Sequence, residues 1–315
     1  MSGKPFYASE PSLGQKAPIV IDGSGYASIA AWISENPGWD QLLYQAGSLL
    51  FRGFPGNDPS VFDAAVDMLM QPSLEFAEET SPRSAVGARS FTSTDYPSAY
   101  PIQFHHEFSY RQIYPDRLAF YCILPATKGG ATPLADSRKV LRRLPADVVT
   151  KFGEHGVTYV RNFTGLGVSL GDAFGTTDKD KISAYCTAHG IDHSWSGQDL
   201  HTRQSAPAII THPVTREQVW FNSVVNLNVL GVEPKAVRDA LSSLPADTIP
   251  TNTTCGCGDP IDVAVIEQIR QAYADEAVRF DWQPGDLLLI DNVLTAHARD
   301  PFEGDRRILV GMGTA

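Results

Sequence analysis

Short runs of apolar residues, separated by segments rich in glycine, proline and charge, recur along most of this chain. Runs of four to eight residues rich in β-branched and aromatic side chains are typical of strands, because such side chains fit a pleated, buried surface. They predict strands over residues 18–22, 48–54, 117–124, 156–161, 206–211, 218–222, 286–290, 294–299 and 306–310. Many short strands joined by turns predict a mainly β fold, with an antiparallel core wrapped by a few helices.

A second pattern, with apolar residues three or four positions apart, predicts amphipathic helices. It covers residues 26–45, 58–70, 137–144 and 262–277. Asp58 followed by Pro59 has the form of a helix cap and first turn, and Asp136 or Ser137 is expected to cap the third helix. Residues 162–204 are polar and dotted with glycine, which predicts a mobile insertion or lid.

Composition narrows the class of protein. The chain has 315 residues, of which 43% are apolar, so we expect a substantial core and a single domain spanning residues 1–315. Twenty-five basic and 36 acidic residues give a net charge of −11, which disfavours nucleic acid as a partner. No apolar segment has the length of a membrane span, and the N-terminus lacks the form of a secretory signal, so a cytoplasmic location is expected.

The four cysteines are too few and too scattered for a disulfide-stapled fold. Cys255 and Cys257 form the only cluster. A loop with two reduced thiols is favoured over half of a metal site, because the sequence offers no second pair to complete four sulfur ligands.

A histidine and a glutamate two positions apart are the first indication of a metal site. Side chains two apart in an extended segment lie on the same face, so His105 and Glu107 can contact one ion while His106 points away. One imidazole and one carboxylate are two of the three ligands of the facial triad in non-haem Fe(II) oxygenases. A motif this short also arises by chance, so a structural histidine is the alternative.

The third ligand is expected just after the strand over residues 286–290. His297 lies there, at the expected rim of a sheet. If the chain forms a hairpin centred near Phe302, His297 lies opposite Arg307 and both side chains project to the same face. Arg307 could then form two parallel hydrogen bonds with the far carboxylate of a 2-oxo acid. A register shift of one residue would exchange Arg307 for Arg306, and two surface cations are the alternative.

These residues lie within longer segments that resemble the TauD/TfdA-like taurine dioxygenase and clavaminate synthase superfamily. The resemblance extends over residues 47–312 and is carried by residues 50–54 (LFRGF), 104–110 (FHHEFSY), 118–125, 129–133 (GGATP), 136–138 (DSR) and 297–307. It implies a double-stranded β-helix (jelly-roll) core flanked by α-helices, and an enzyme that uses Fe(II), 2-oxoglutarate and O2. The residues that it assigns are His105, Glu107 and His297 for the metal, and Thr132 and Arg307, with Arg306 as a second candidate, for 2-oxoglutarate.

The most similar branch of this superfamily hydroxylates amino acids, some of them tethered to a carrier protein, in natural-product biosynthesis. The resemblance therefore implies hydroxylation of an unactivated C–H bond, with release of succinate and CO2. Gly311 stands where taurine dioxygenase has a substrate-binding arginine, which disfavours a small sulfonate substrate. Halogenating relatives replace the carboxylate ligand with a small residue, so the presence of Glu107 argues against halogenation.

Substrate contacts are expected from Gln103, Ser109 and Asn222, although each could equally be a structural hydrogen-bonding residue. Desaturation or cyclisation with the same cofactors is an alternative outcome. An inactive metal-binding module and a zinc-dependent, cupin-like hydrolase or isomerase are alternatives of a different class.

Overall fold

Hydrogen-bonded strands occupy most of the apolar runs in a computed structural model that describes residues 18–72, 78, 91–92 and 96–315. The strands are β1 (Ile19–Asp22), β2 (Ser48–Arg52), β3 (Gln71–Pro72), β4 (Phe91–Thr92), β5 (Ile102–His105), β6 (Arg117–Leu124), β7 (Lys128–Gly129), β8 (Leu134–Asp136), β9 (Val157–Phe163), β10 (Asp192–Ser196), β11 (Asp199–Ala206), β12 (Ile209–Thr211), β13 (Gln218–Trp220), β14 (Thr251–Cys255), β15 (Leu287–Asp291), β16 (Thr295–Arg299), β17 (Phe302–Glu303) and β18 (Arg307–Thr314). β15 and β16 are buried at every residue, which explains why their sequences lack an exposed polar face.

Two of the helices, the one that follows Asp58 and the one that follows Asp136, begin at the predicted capping residues. The helices are α1 (Ile29–Glu35), α2 (Trp39–Ala46), α3 (Pro59–Leu69), α4 (Ser137–Arg143), α5 (Ala146–His155), α6 (Leu170–Phe174), α7 (Lys179–Ala188), α8 (Lys235–Ser242) and α9 (Val263–Glu276). The carboxylate of Asp58 accepts the backbone N–H of Ser60 at the start of α3, and Asp136 caps α4 in the same way. Within the described residues, no helix combines the length and the apolar character needed to cross a membrane.

A large sheet forms one wall of the core. Its strands run in the order β1-β2-β15-β6-β18-β3, with β4 beside β18, and only the pair β1–β2 is parallel. Side chains alternate across this sheet. Leu287 and Leu289 pack with α1 and α3 on one side, whereas Leu288 and Phe120, which lie opposite each other, face the main core on the other.

A smaller sheet, β5-β16-β8, faces the inner side of the large sheet. The ring of His297 on β16 lies 5.2 Å from the ring of Phe120 on β6, measured between centroids, so side chains of the two sheets meet directly. Two facing antiparallel sheets with helices packed outside them are the jelly-roll arrangement that the sequence predicts. This prediction of the fold class is confirmed.

Residues 162–204 are folded rather than a plain loop. They contain α6, α7, β10 and most of β11, and the hairpin β10–β11 extends β9 and β14 into a four-stranded sheet. The segment has a small apolar core of its own, made of Phe163, Ala173, Ile182, Cys186, Ile191 and Leu200. The mobility of this segment stays a prediction.

Two predictions of local structure are wrong. β16 and β18 do not form a hairpin, because β16 pairs with β5 and β8 in the smaller sheet while β18 pairs with β6 in the larger one. Arg307 therefore lies opposite Leu124 and not opposite His297. Cys255 and Cys257 form a disulfide instead of two free thiols, and their Cα atoms lie 5.1 Å apart, a separation that a disulfide can span.

Candidate metal centre

Three potential metal ligands converge from two neighbouring strands. His105 ends β5, Glu107 follows two residues later, and His297 lies directly opposite His105 on β16. One carboxylate oxygen of Glu107 lies 4.0 Å from the Nε2 atom of each histidine. The ligand atoms of all three residues lie within 4.8 Å of one another, so one ion placed among them would contact all three.

The chemistry of these donors fits Fe(II). Two imidazoles and one carboxylate form a facial set that leaves the other coordination positions open for a cosubstrate and O2. His297 and Glu107 are buried, with exposed fractions of 6% and 8%, so the ligands lie in a protected cavity. The Nδ1 atom of His105 lies 2.8 Å from the carbonyl oxygen of Gln103, which accepts its hydrogen, so Nε2 is the ring nitrogen that faces the carboxylate of Glu107.

His106 points away from this cluster, as alternation along the strand predicts. It is fully buried, with Nε2 2.7 Å from the hydroxyl of Ser137 and Nδ1 3.2 Å from the backbone carbonyl of Asn222. Burial lowers the pKa of His106 to about 3, so its imidazole is neutral at neutral pH. His106 therefore connects the ligand segment to α4 and is not itself a ligand.

A cavity beside the three residues contains the half-buried guanidinium of Arg306. Arg306 donates from Nε to the carbonyl oxygen of Gly130 at 3.0 Å and from Nη2 to the hydroxyl of Thr132 at 3.4 Å. The same hydroxyl accepts the indole N–H of Trp282 at 3.1 Å. Burial, followed by the neighbouring charge of Arg299, lowers the pKa of Arg306 to about 10. Among the residues that the structure describes, no carboxylate pairs with Arg306, so the cavity favours an anionic ligand.

The arginine in this cavity is the second candidate, Arg306, and not Arg307. Arg307 is exposed, whereas Arg306, which lies immediately before β18, lines the cavity together with Ile308 and Val310 of that strand. The expectation of Arg307 followed from the hairpin that does not form. The position four residues after the cavity arginine is therefore Val310 and not Gly311, and the absence of a substrate-binding arginine at that position still holds.

None of the three predicted substrate residues lines the metal cavity. Gln103 lines a separate cavity on the α9 side of the smaller sheet and contacts the site only through its carbonyl oxygen. The hydroxyl of Ser109 lies 2.8 Å from that of Ser223, and the Asn222 amide donates to the carbonyl of Ala208. Ser109 and Asn222 are buried residues that support the surrounding loops.

Other residues of the cavity were not identified from the sequence. Among the described residues, its lining consists of Ile102, His105, Glu107, Phe120, Thr132, His297, Ala298, Arg299, Arg306, Ile308 and Val310. The alternation Arg306, Ile308, Val310 was a usable signal, because residues two apart on a strand share a face. Arg299 lies two residues after His297 on the same strand, so the same reasoning predicts that it faces the cavity.

Comparisons with known proteins agree with this geometry. A family model described as "Taurine catabolism dioxygenase TauD, TfdA family" matches residues 16–312. The dapdiamide synthesis protein DdaC of Enterobacter agglomerans is 35% identical over 296 residues, which are 93% of this chain and 90% of that protein. The clavaminate synthase-like protein At3g21360 of Arabidopsis thaliana is 31% identical over 285 residues, covering 87% and 83% of the two chains. The PvcB structure from Pseudomonas aeruginosa matches the fold with a TM-score of 0.57 at 12% identity, covering 94% of this chain and 86% of that one.

Proposed function

This chain belongs to the TauD/TfdA family of dioxygenases, and from that premise we propose that it hydroxylates an unactivated C–H bond of a small, amino-acid-derived substrate. Fe(II) and 2-oxoglutarate are the cofactors of this class of enzyme. The observation that carries the proposal is the convergence of His105, Glu107 and His297 within 4.8 Å, beside a half-buried guanidinium without a carboxylate partner in the described part of the chain.

His105, Glu107 and His297 would hold the iron. Arg306 and Thr132 would hold the far carboxylate of 2-oxoglutarate, because a guanidinium and a hydroxyl both donate hydrogen bonds to a carboxylate. Trp282 donates to the Thr132 oxygen, which directs the hydroxyl hydrogen away from the indole and leaves it available to the ligand. Burial strengthens the attraction between Arg306 and this carboxylate, since little water screens the two charges.

When bound, iron and 2-oxoglutarate supply the oxidising power, with succinate and CO2 as coproducts. The protein provides orientation and a dry cavity. Phe120, Ile308 and Val310 form its apolar wall and exclude water from the position between the metal ligands and Arg306.

The substrate class follows from similarity rather than from an identified contact. DdaC is, by its name, a dapdiamide synthesis protein, which supports a role in natural-product biosynthesis for this chain. Val310 is an apolar residue where a sulfonate-binding arginine would stand, which supports a substrate other than a small sulfonate. The substrate is either a free amino acid or an amino acid attached to a carrier protein, and the experiment below compares these two forms.

The test combines binding and turnover. Under anaerobic conditions, the protein with Fe(II) and 2-oxoglutarate should develop the weak visible absorption of a metal–oxo-acid complex, and Glu107→Ala should not. With O2, succinate release should rise when the correct free or carrier-loaded amino acid is added, with a product 16 Da heavier for hydroxylation. Absence of both the absorption and succinate release from folded protein would refute the proposal.

A further inference from the structure

The two strands that carry the metal histidines share little regular pairing. His105 lies opposite His297 and Ile102 lies opposite Arg299, with an irregularity in the register between these two pairs. The backbone ladder alone therefore fixes β5 and β16 against each other at few positions. Glu107 lies beyond the end of β5, outside this ladder altogether.

Asn292 forms side-chain hydrogen bonds with the segment that carries Glu107. It is fully buried in the turn between β15 and β16, five residues before His297. Its Oδ1 accepts the backbone N–H of Glu107 at 2.9 Å, while its Nδ2 donates to the carbonyl oxygens of Glu107 at 3.0 Å and Pro115 at 2.8 Å. The side-chain amide of Asn292 thus forms hydrogen bonds with both the backbone N–H and the backbone carbonyl of Glu107. The next residue, Phe108, has a φ of 54°, so the chain turns sharply just after this contact.

Arg299 makes the corresponding contact at the other end of β5. It lies two residues after His297 and is 7% exposed. Its Nη1 donates to the carbonyl oxygen of Tyr96 at 2.9 Å, and its Nη2 donates to those of Pro97 at 2.8 Å and Tyr100 at 3.0 Å. These three carbonyls belong to the turn that leads directly into β5.

We propose that Asn292 and Arg299 are positioning residues that set the distance between the His105–Glu107 pair and His297 before the metal binds. The inference rests on the proposed function of these three residues as metal ligands. Both residues flank His297 in the sequence, and each holds the main chain at one end of the segment that bears the other two ligands. Residues that fix metal ligands in this way commonly change metal affinity 10- to 100-fold when they are replaced.

The test uses Asn292→Asp and Arg299→Lys in the metal-free protein. The aspartate keeps an acceptor for the Glu107 N–H but loses both donated hydrogen bonds, and the lysine keeps the charge but cannot reach three carbonyls at once. Calorimetric titration with Mn²⁺ should give a dissociation constant raised at least about tenfold in each variant. Thermal unfolding of the metal-free proteins is measured alongside.

Matched controls separate positioning from general stability. Asn228 is also buried and binds the main chain of Leu230 and Thr253, and Arg117 is buried and donates to the carbonyl of Leu69, but neither lines the metal cavity. Asn228→Asp and Arg117→Lys should lower the melting temperature and leave Mn²⁺ affinity within about twofold of the unmodified protein.

Each contact is judged separately. Unchanged Mn²⁺ affinity in folded Arg299→Lys or Asn292→Asp overturns the role of that residue, and Asn292→Ser replaces the aspartate variant if the latter does not fold. An equal loss of affinity in the controls shows that stability, not positioning, governs binding and overturns the inference. If the unmodified protein does not bind Mn²⁺, the proposed function fails as well.

Discussion

Among single residues, the two neighbouring arginines at the beginning of β18 differ in whether they can contact a ligand in the cavity. Arg306, Ile308 and Val310 line the cavity, while Arg307 is exposed. Two adjacent cations thus have different environments, and the half-buried one has its pKa lowered to about 10. Because it is still charged at neutral pH, Arg306 can attract a carboxylate there without first taking up a proton.

Replacement of these arginines gives a direct comparison. Arg306→Ala should raise the dissociation constant for 2-oxoglutarate roughly 10- to 100-fold, because a hydrogen bond to a charged group contributes about 1.5–3 kcal/mol. Arg307→Ala is the matched control and should change it less than twofold. Anaerobic titration of the Fe(II) protein, followed by visible absorption, measures both. If binding is weakened in Arg307→Ala alone, Arg307 and not Arg306 holds the cosubstrate, as the predicted hairpin requires.

The buried imidazole of His106 makes stability depend on pH. Its pKa is lowered to about 3 in the folded protein, so only the unfolded chain binds this proton between about pH 6.5 and 3. The stabilisation that the neutral His106 contributes to the folded state is therefore fully present above about pH 6.5, and it is lost as the pH falls from there towards about 3. From pH 7 to pH 5, the metal-free protein should lose about 2 kcal/mol more unfolding free energy than His106→Gln does. Urea denaturation at both pH values measures this, and parallel losses in the two proteins would contradict it.

The three metal ligands could be predicted because their evidence is local. The two-residue spacing of His105 and Glu107 predicts a shared face, although Glu107 lies beyond the end of β5, and His297 follows a recognisable buried strand. The choice between Arg306 and Arg307 depends instead on which strands pair, a property of the whole sheet. The roles of Ser109 and Asn222 depend on partners more than 10 positions away in the sequence, which no local pattern reveals.

At the level of elements, the ends of helices and strands were predicted accurately where a capping residue or a short apolar run in the sequence determines them. α3 and α4 begin at the predicted caps, and β6 has the predicted bounds, Arg117–Leu124. Residues 162–204 were harder to predict, because their helices are short and their core is small. Few buried apolar side chains stabilise this segment, so we expect it to open at a lower free-energy cost than the main sheets do.

This segment should respond to ligands if it covers the site. We expect backbone amides within residues 164–198 to exchange with deuterium at least several-fold more slowly once metal, 2-oxoglutarate and substrate are bound, because closure removes them from solvent. The strands β6 and β15 serve as an internal reference and should not change. Hydrogen exchange followed by mass spectrometry reads both regions together, and identical rates with and without ligands would exclude a covering role.

On the scale of the whole molecule, ligand binding should be visible as stability. A ligand at 100 times its dissociation constant stabilises the folded state by about 2.7 kcal/mol. Mn²⁺ at such a concentration should therefore raise the melting temperature by a few degrees, and chelation should reverse the change. Glu107→Ala, which lacks one ligand, should show little shift. A shift of equal size in that variant would place the ion elsewhere on this acidic chain.

The two histidines proposed to bind the metal belong to the smaller sheet, whereas Arg306 lies immediately before β18, a strand of the larger one. Facing sheets pack about 10 Å apart, so the separation of the layers also sets how long a molecule must be to touch the ion and the guanidinium together. The spacing of the two sheets therefore determines which length of cosubstrate can contact both groups. Shortening the oxo acid by one methylene, from 2-oxoglutarate to oxaloacetate, would leave one end without its partner, whatever substrate the cavity accepts.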